Sequence, residues 1–263
     1  MWVITGASSG IGRRTATDVA ATGARVCVAA RREDLLERLV EEMGGDGLGH
    51  SWLRTDVTRR ADVQRLARHV ERTYGRCDVL VNNAGVSIER PYAGPDAIDD
   101  VSKVVATNFL GMVYAALELV PLLERSAPSH VVNVSSIAGR IALGSNAAYT
   151  ASKFAAVGWS EALHFELAPK GIWVSTVEPG PVPTEGFPQD HVARVPLARA
   201  ALADTRDVSR AIRDAVDGHK LQRVVPRAFY LLQVPRVATP PLFRLAQRLV
   251  YGYRNRRIPG AGQ

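Results

Sequence analysis

The sequence predicts a single α/β domain with a doubly wound parallel sheet of seven strands and helices on both faces. Short β-branched apolar runs alternate with helical patterns from the first residues onward. A glycine-rich turn follows the first of these runs. Hydrophobic residues make up 46% of the 263 residues and charged residues 22%, which is enough for one large core around a single sheet.

The strands and helices are predicted from these patterns in chain order. Strands are expected at residues 2–5, 25–29, 51–54, 79–81, 131–134, 173–177 and 223–225. Helices are expected at residues 10–22, 33–43, 61–74, 98–125, 149–167 and 208–216. Parallel neighbours need crossover connections, so the helices must cover both faces, as in a Rossmann-like fold. Ligands of such a sheet bind outside the carboxyl ends of the strands, which makes the residues after each strand the candidate site.

Composition and charge argue against two kinds of binding site. The net charge of +7 comes from the C-terminal part, since residues 194–263 hold fourteen Lys or Arg against four Asp. No aromatic-basic motif accompanies this charge, so nucleic-acid binding is not expected. The six histidines show no metal-ligand spacing, so no metal site is expected either.

Other bulk features predict a cytoplasmic protein. Cys27 and Cys77 lie in or beside predicted strands without motif spacing, which indicates buried thiols and a reducing compartment. The residues before the glycine turn leave no room for a signal peptide. No apolar run reaches about 18 residues, the length expected of a transmembrane helix.

The first strand leads into a turn of the pattern GxxxGxG that opens a helix. Backbone N–H groups at a helix N-terminus attract a pyrophosphate, and glycines let the backbone approach it closely. The predicted cofactor contacts in this turn are Gly6, Ser8, Ser9, Gly10, Ile11 and Gly12. The alternative is an ordinary tight connection, but the strand before it and the helix after it favour a dinucleotide site.

Arg31 and Arg32 follow the second predicted strand, at the place where a dinucleotide site normally has a carboxylate for the adenosine ribose. No carboxylate stands at that place. Guanidinium groups can instead pair with a ribose 2′-phosphate, which favours NADP(H) over NAD(H). The alternative is that both arginines are solvated residues at the start of a helix.

The fifth strand leads to Ser136, and a predicted helix then carries Tyr149 and Lys153. Residues four apart on a helix share one face, which puts the ammonium near the ring. A nearby cation favours a phenolate, so we expect Lys153 to lower the pKa of Tyr149 and make it a usable acid or base near neutrality. Ser136 would then hydrogen-bond the same substrate oxygen.

Together these motifs resemble the short-chain dehydrogenase/reductase family, in the form with a GxxxGxG turn and a Ser-Tyr-Lys site. The resemblance covers nearly everything from Val3 to about Val225. The matching features, in order, are the glycine turn, Asn82-Asn83-Ala84-Gly85, Asn108, Ser136, the Tyr149 and Lys153 pair, and the segment from Pro179 to Thr184.

The resemblance implies a role for each matching residue. Tyr149 is the implied acid or base, and Lys153 lowers its pKa and binds the nicotinamide ribose. Ser136 positions the substrate oxygen, and Asn108 holds a water that links Lys153 to solvent. The further implied cofactor contacts are Asp56 and Val57 near the adenine, Asn82, Ala84 and Gly85 by the adenosine ribose, and Pro179, Gly180, Val182 and Thr184 on the nicotinamide side.

Each motif has a plainer alternative when it is taken singly. Tyr149 would then be an interface aromatic, Asn82 and Asn83 a turn pair, and Asn108 a polar residue that bends a helix. These alternatives do not explain the shared order and spacing.

Two segments lie outside these motifs. The family resemblance implies that residues 185–204 form a flap over the substrate pocket, where apolar side chains suit an apolar ligand or simple lid packing. The catalytic domain is expected to span residues 1–234, with a C-terminal extension over residues 235–263. Residues 240–257 of that extension have the pattern of a basic amphipathic helix, which would lie on an anionic membrane, cover a neighbouring subunit or cap its own domain.

The sequence therefore predicts an NADP(H)-dependent oxidoreductase that interconverts a small-molecule alcohol with a ketone or aldehyde. The alternative of another class is a catalytically silent NADP(H)-binding sensor or scaffold of the same fold. A sugar-nucleotide epimerase or dehydratase is opposed by the glycine spacing and the short chain. The family resemblance implies a homodimer or homotetramer.

Overall fold

A computed structural model confirms the predicted single domain with its seven-stranded parallel sheet, in the order β3-β2-β1-β4-β5-β6-β7. It describes residues 1–92, 94–144, 146–185 and 202–257, so most of the predicted flap lies outside the described residues. The strands are β1 Trp2–Thr5, β2 Val26–Ala30, β3 Ser51–Arg54, β4 Val79–Asn82, β5 Ser129–Val134, β6 Ile172–Pro179 and β7 Gln222–Val225.

The helices follow the predicted order with two differences, since a helix over residues 230–238 was not predicted and one predicted helix is divided. Their bounds are α1 Gly10–Ala20, α2 Glu33–Glu42, α3 Arg60–Tyr74, α4 Ile98–Val105, α5 Gly111–Arg125, α6 Ala147–Leu167, α7 Thr205–Asp217, α8 Tyr230–Ala238 and α9 Pro240–Arg257. The sequence predicted one helix over residues 98–125, whereas a π-helical turn at Ala106–Leu110 separates α4 from α5. The predicted boundary between residues 234 and 235 lies within α8.

The sheet is buried on both faces, so its strands are almost continuously apolar. In β1, Ile4 belongs to the cluster on one face and Val3 to the cluster on the other. Leu36 and Ile212 cover the first face from α2 and α7, and Leu119 covers the second from α5. Alternate residues of each strand therefore hold opposite helix layers.

Both cysteines are free thiols in this core. Burial raises the pKa of Cys27 to about 12 and also raises the pKa of Cys77. Neither thiol is ionised near neutrality, which fits two structural residues.

One helical stretch, Pro95–Arg125, is long and apolar enough to cross a membrane by length and composition. Its α5 part presents Ala115, Leu119 and Leu123, all fully buried, to the sheet. The stretch therefore packs as a core helix of the domain.

The winding of the sheet reverses at β1, which pairs with β2 on one side and with β4 on the other. In the register, Thr5 pairs with Ala29 and Ile4 with Val81. Connections that leave β1 and β4 for opposite faces open a crevice at the carboxyl ends of the strands. The predicted site residues lie around this crevice.

A buried ion pair joins the loop after β5 to β6. Glu178 is fully buried, and its Oε1 accepts hydrogen bonds from Arg140 Nε at 3.0 Å and Nη2 at 2.9 Å. Thr176 Oγ1 donates to the same oxygen at 3.1 Å, and Gln222 Nε2 donates to Oε2 at 2.9 Å. The carboxylate is thus compensated by three side chains from three parts of the chain.

Removing one partner of this pair should leave a charge buried without compensation. We predict that Arg140→Met lowers the free energy of unfolding by about 3–5 kcal/mol in urea denaturation. The matched control is Arg125→Met, whose ion pair with Glu71 is more than half exposed at both side chains, and we expect a loss of about 0–1 kcal/mol. Equal losses in the two variants would contradict this account.

Candidate active site

The turn after β1 is held so tightly that glycine is required. Gly6 and Gly10 have positive φ angles of +66° and +57°, which L side chains rarely adopt. A Cβ on Gly12 would lie 2.5 Å from Gly6 O and 2.5 Å from Asn83 Nδ2. The three glycines therefore let the start of α1, the turn and the β4 loop lie in direct contact.

Thr5 and Asn83 join the turns that follow β1 and β4. Thr5 Oγ1 accepts hydrogen bonds from Asn83 N at 3.1 Å and Ala84 N at 3.3 Å. Asn83 Nδ2 donates to Thr5 O and Gly6 O, each at 3.1 Å. The polar groups at the floor of the crevice are thereby satisfied by one another.

Asn82, in contrast, directs its side chain into the core. Its Nδ2 donates to Asn133 Oδ1 at 2.9 Å, and Asn133 Nδ2 donates to Ser160 Oγ at 2.8 Å. This network joins β4, β5 and α6. The predicted contact of Asn82 with the adenosine ribose stays a prediction. Asn83, which is not among the predicted cofactor contacts, braces the glycine turn.

Arg32 reaches across to the glycine turn. Its Nη2 donates to Ser8 Oγ at 3.1 Å and to Ser9 Oγ at 2.8 Å, and its Nη1 pairs with Glu185 at 2.5 Å. Arg31 stands beside it, exposed at the end of β2. Two guanidinium groups thus border the place where the sequence lacks a carboxylate.

Asp56 and Val57 follow β3 on the same side of the crevice. Burial would raise the pKa of Asp56, but hydrogen bonds from Thr58 and the charges of Arg31 and Arg59 outweigh burial and lower it. Val57 is buried against the start of α5, where a Cβ on Gly111 would lie 2.7 Å from Val57 Cγ2. The predicted adenine-side residues are therefore fixed in position.

Ser136, Tyr149 and Lys153 are brought together at the end of β5. Ser136 Oγ accepts from Ala138 N at 3.1 Å and donates to Pro179 O at 3.3 Å, which fixes its rotamer. Lys153 Nζ lies 5.6 Å from the centroid of the Tyr149 ring and donates to Val134 O at 2.9 Å. Lys153 is buried, and Tyr149 is half-buried at the surface of the crevice.

Burial sets the pKa values of this pair. It raises the pKa of Tyr149, and a hydrogen bond with Ser136 offsets this only in part. Burial also lowers the pKa of Lys153 from 10.5 to about 8. The expectation that Lys153 would hold the pKa of Tyr149 below its ordinary value is therefore corrected, because loss of hydration of the phenolate dominates.

Asn108 lies in the π-helical turn between α4 and α5, and such turns often occur at functional sites. Its Oδ1 accepts from Val86 N at 2.8 Å, while its Nδ2 donates to Val86 O at 2.9 Å and Ser152 Oγ at 3.0 Å. A Cβ on Gly85 would lie 3.4 Å from Asn108 Oδ1 and 3.8 Å from Lys153 Nζ. The predicted water beside Asn108 stays a prediction.

The segment after β6 closes the nicotinamide side of the crevice. Gly180 N donates to Val225 O at 2.7 Å, and Phe229 occupies the space that a Cβ on Gly180 would need. Val182 is buried in the core beyond it. A Cβ on Gly10 would lie 3.1 Å from Thr184 Cγ2, so this segment lies directly over the glycine turn.

Two further side chains support the site and were missed. Ser135 Oγ donates to Lys153 O at 3.1 Å, and Ser152 Oγ donates to Tyr149 O at 2.7 Å. Both residues stand next to a predicted site residue, which is the one signal that the sequence offers. Their hydrogen bonds fix the α6 turn that carries the tyrosine and the lysine.

Comparison with known proteins shows which family the chain matches. A family model described as short chain dehydrogenase matches residues 1–191. The chain is 37% identical over 185 residues to the uncharacterized oxidoreductase YxnA of Bacillus subtilis, which covers 69% of this chain and 52% of that protein. It is 34% identical over 185 residues to the uncharacterized oxidoreductase SSP1627 of Staphylococcus saprophyticus, covering 70% and 74%. The chain spans about half the length of the Bacillus relative.

Solved structures of similar fold hold nicotinamide cofactors. A short chain dehydrogenase/reductase from Burkholderia phymatum in complex with NAD has a TM-score of 0.80 at 26% identity, covering 92% of this chain and 94% of that one. RhlG of Pseudomonas aeruginosa with NADP has a TM-score of 0.78 at 27% identity, covering 87% and 95%. A single-residue variant of actinorhodin polyketide ketoreductase with NADPH has a TM-score of 0.77 at 29% identity, covering 87% and 96%.

The lowered pKa of Lys153 predicts a dependence of stability on pH. Between about 8 and 10.5 the unfolded chain binds a proton that the folded protein does not, so stability should rise with pH. Relative to Lys153→Met, the free energy of unfolding of the wild type should increase by about 2–3 kcal/mol between about pH 7 and pH 10.

Urea denaturation at the two pH values measures this difference, because titrations elsewhere in the chain cancel. The matched control is Lys170→Met, which removes a half-exposed lysine paired with Glu124. Between the two pH values, its free energy of unfolding should change by the same amount as that of the wild type. Parallel behaviour of the wild type and Lys153→Met would show that Lys153 keeps its proton.

Proposed function

The chain belongs to the short-chain dehydrogenase/reductase family, and we propose that it is an NADP(H)-dependent oxidoreductase that interconverts an alcohol with a ketone or aldehyde. The observation that carries the proposal is the convergence of Ser136, Tyr149 and Lys153 beside the glycine turn. A proton donor and a hydrogen-bond donor face the same crevice in which the turn and the N-terminus of α1 offer a place for a pyrophosphate.

The glycine turn supports a bound dinucleotide on geometric grounds. The positive φ angles at Gly6 and Gly10 and the crowding around Gly12 require glycine, so no side chain at these three positions stands between a ligand and the N-terminus of α1. When bound, the nicotinamide would give a hydride to a carbonyl carbon or take one from an alcohol carbon. The chain itself must then handle the proton and the charge on the substrate oxygen.

Tyr149 is the proposed proton donor. Its raised pKa keeps the phenol protonated near neutrality, so it can donate to the carbonyl oxygen as charge develops there. Ser136, positioned by the hydrogen bond from Ala138 N, would turn its hydroxyl proton from Pro179 O to the same oxygen and stabilise that charge. Carbonyl reduction can therefore start from the protonated phenol, while oxidation requires Tyr149 to lose its proton first.

Lys153 is proposed to hold the charge and return the proton. With a pKa of about 8 it is mostly an ammonium at neutral pH, and a cation 5.6 Å from the ring centroid favours the phenolate left after proton transfer. Asn108 and Ser152 are hydrogen-bonded to each other, and a Cβ on Gly85 would lie 3.4 Å from Asn108 Oδ1 and 3.8 Å from Lys153 Nζ. We propose that protons reach Lys153 past Asn108 and Ser152.

The preference for NADP(H) rests on the two arginines after β2. Arg31 and Arg32 stand where a carboxylate would otherwise bind the ribose, and Arg32 already spans to Ser8 and Ser9 of the turn. A phosphate at this place would accept charge-assisted hydrogen bonds. Two of the three compared structures are complexes with NADP or NADPH.

We propose further that the protein works in the cytoplasm as a homodimer or homotetramer. Leu117 on α5 and Phe165 on α6 are 55% and 75% exposed, which supports an interface formed by these two helices. Light scattering would measure the mass directly.

Replacing the phenol should separate chemistry from binding. We predict that Tyr149→Phe lowers the turnover of NADPH with a ketone at least about 100-fold, because the proton donor is lost, while the Kd for NADPH changes little. Steady-state assays and fluorescence titration measure the two quantities.

The matched control for this variant is Tyr74→Phe, whose hydroxyl donates to Ser51 far from the crevice and whose loss should leave turnover intact. If the wild type binds NADPH but turns over none of a broad panel of ketones and aldehydes, the silent sensor replaces this proposal.

Removing the first arginine should change the choice of cofactor. We predict that Arg31→Ala raises the Kd for NADPH about 10-fold or more, since a charge-assisted contact is worth about 1.5–3 kcal/mol, and leaves the Kd for NADH unchanged. Arg38→Ala, which removes an exposed arginine of α2, is the control for net charge. A wild type that binds NADH more tightly than NADPH would refute the assignment.

A further inference from the structure

The C-terminal helix pair, α8 and α9, turns its apolar side chains away from the protein. On α9, Phe243 and Gln247 are half-buried on the inner side. Leu242, Leu245 and Leu249 lie on the opposite side of the helix and are 65%, 54% and 68% exposed. An amphipathic helix that caps its own domain would bury this stripe, so among the residues that the structure describes α9 has no partner for its apolar face.

The neighbouring helix continues the same kind of surface. On α8, Leu231, Val234 and Val237 recur at helical spacing and are 73%, 62% and 81% exposed. The two helices contact each other, and together they expose six large aliphatic side chains. A cluster of this size on a surface marks an interaction site.

Charge indicates what covers this surface. From Gly218 to the end of the sequence there are nine Lys or Arg and no Asp or Glu. Arg244 and Arg248 are exposed on α9 next to the leucines, and Arg227 is exposed just before α8. Leucines flanked by arginines fit a surface that is both apolar and negatively charged, as an anionic bilayer is.

A second copy of the chain fits this surface less well. Two copies that meet through the same patch would be related by a twofold axis, which brings Arg244 and Arg248 toward the same arginines of the other copy. Like charges placed opposite each other disfavour such a contact. Anionic lipid headgroups would instead neutralise them.

The helix pair also lies beside the candidate active site. Gln247 Nε2 donates to Ala142 O at 2.9 Å, in the loop that follows Ser136. The Arg236 guanidinium lies 4.5 Å from the ring centroid of Phe154, the residue after Lys153. A surface that binds the helix pair would therefore lie next to the mouth of the crevice.

We propose that the C-terminal helix pair docks on an anionic lipid surface and that the enzyme takes a lipophilic carbonyl or alcohol substrate from that surface. The leucines and valines enter the boundary between headgroups and acyl chains, and the arginines bind the headgroups. The docking rests on the helix pair alone, while the substrate class rests on the proposed function as well.

Vesicle flotation tests the docking with the full-length protein. We expect the wild type to bind phosphatidylcholine vesicles that contain about 30% phosphatidylglycerol, a composition that gives an anionic surface like that of cytoplasmic leaflets, at least 10-fold more tightly than pure phosphatidylcholine vesicles. Leu242→Gln with Leu249→Gln should lose about 10-fold or more of this affinity. Arg244→Gln with Arg248→Gln should lose the preference for the anionic lipid.

The matched control is Leu48→Gln with Ile98→Gln, which removes two side chains that are each 64% exposed outside the helix pair and should float like the wild type. Thermal melting verifies that each variant is folded. Equal recovery of the wild type with and without vesicles would overturn the proposal. A second result would also overturn it. If light scattering shows an oligomer of the wild type that dissociates in Leu242→Gln with Leu249→Gln, and vesicles bind neither of the two proteins, the apolar face is an interface between copies.

A series of straight-chain ketones tests the substrate class. With anionic vesicles present, we expect the NADPH-dependent rate of the wild type on long, membrane-partitioned ketones to rise several-fold, while the rate on short, soluble ketones stays constant. Leu242→Gln with Leu249→Gln should keep the short-ketone rate and lose the rise. A rise that is equal in both proteins would overturn delivery from the surface. No turnover of any ketone, with flotation intact, would refute the proposed function and leave the docking standing.

Discussion

The contact between the turn after β1 and the turn after β4 is the constraint on which the site depends. The winding of the sheet reverses between these strands, so their connections diverge and leave polar backbone at the bottom of a crevice. Thr5 and Asn83 satisfy that backbone, and Gly12 allows the close approach because any Cβ would meet Gly6 and Asn83. The glycine turn, the segment over it from β6 and the α6 turn with Tyr149 are all placed relative to this contact.

Burial then decides the acid-base character of the site. Both Tyr149 and Lys153 are shifted toward their neutral forms, because a low-dielectric surrounding penalises phenolate and ammonium alike. The pKa of Lys153 is lowered only to about 8, so this lysine is still mostly charged near neutrality. A protonated phenol beside a cation is the state from which a proton can be donated, so the same burial that costs stability supports the proton-donating role proposed for Tyr149.

In the C-terminal helix pair, the sequence predicts an amphipathic helix but not the direction in which its apolar face points. Residues 240–257 form the predicted amphipathic helix, but an apolar stripe in a sequence does not say whether it faces the core or the surroundings. Phe243 and Gln247 form the inner side, and Gln247 is bound to Ala142. Leu242, Leu245 and Leu249 are consequently left outside, where they and the arginines define a surface next to the crevice.

Local pattern determined the seven strands, most of the helices between them and the shared helix face of Tyr149 and Lys153, because alternation, helical spacing and glycine turns act over a few residues. Tertiary structure decided what depends on neighbours distant in sequence. It directed Asn82 into the core and Asn83 to the turn, brought Arg32 to Ser8 and Ser9, and put Asn108 in a π-helical turn that a helical pattern does not reveal. It also reversed the expected shift at Tyr149, since the sequence shows a nearby lysine but not the burial that outweighs it.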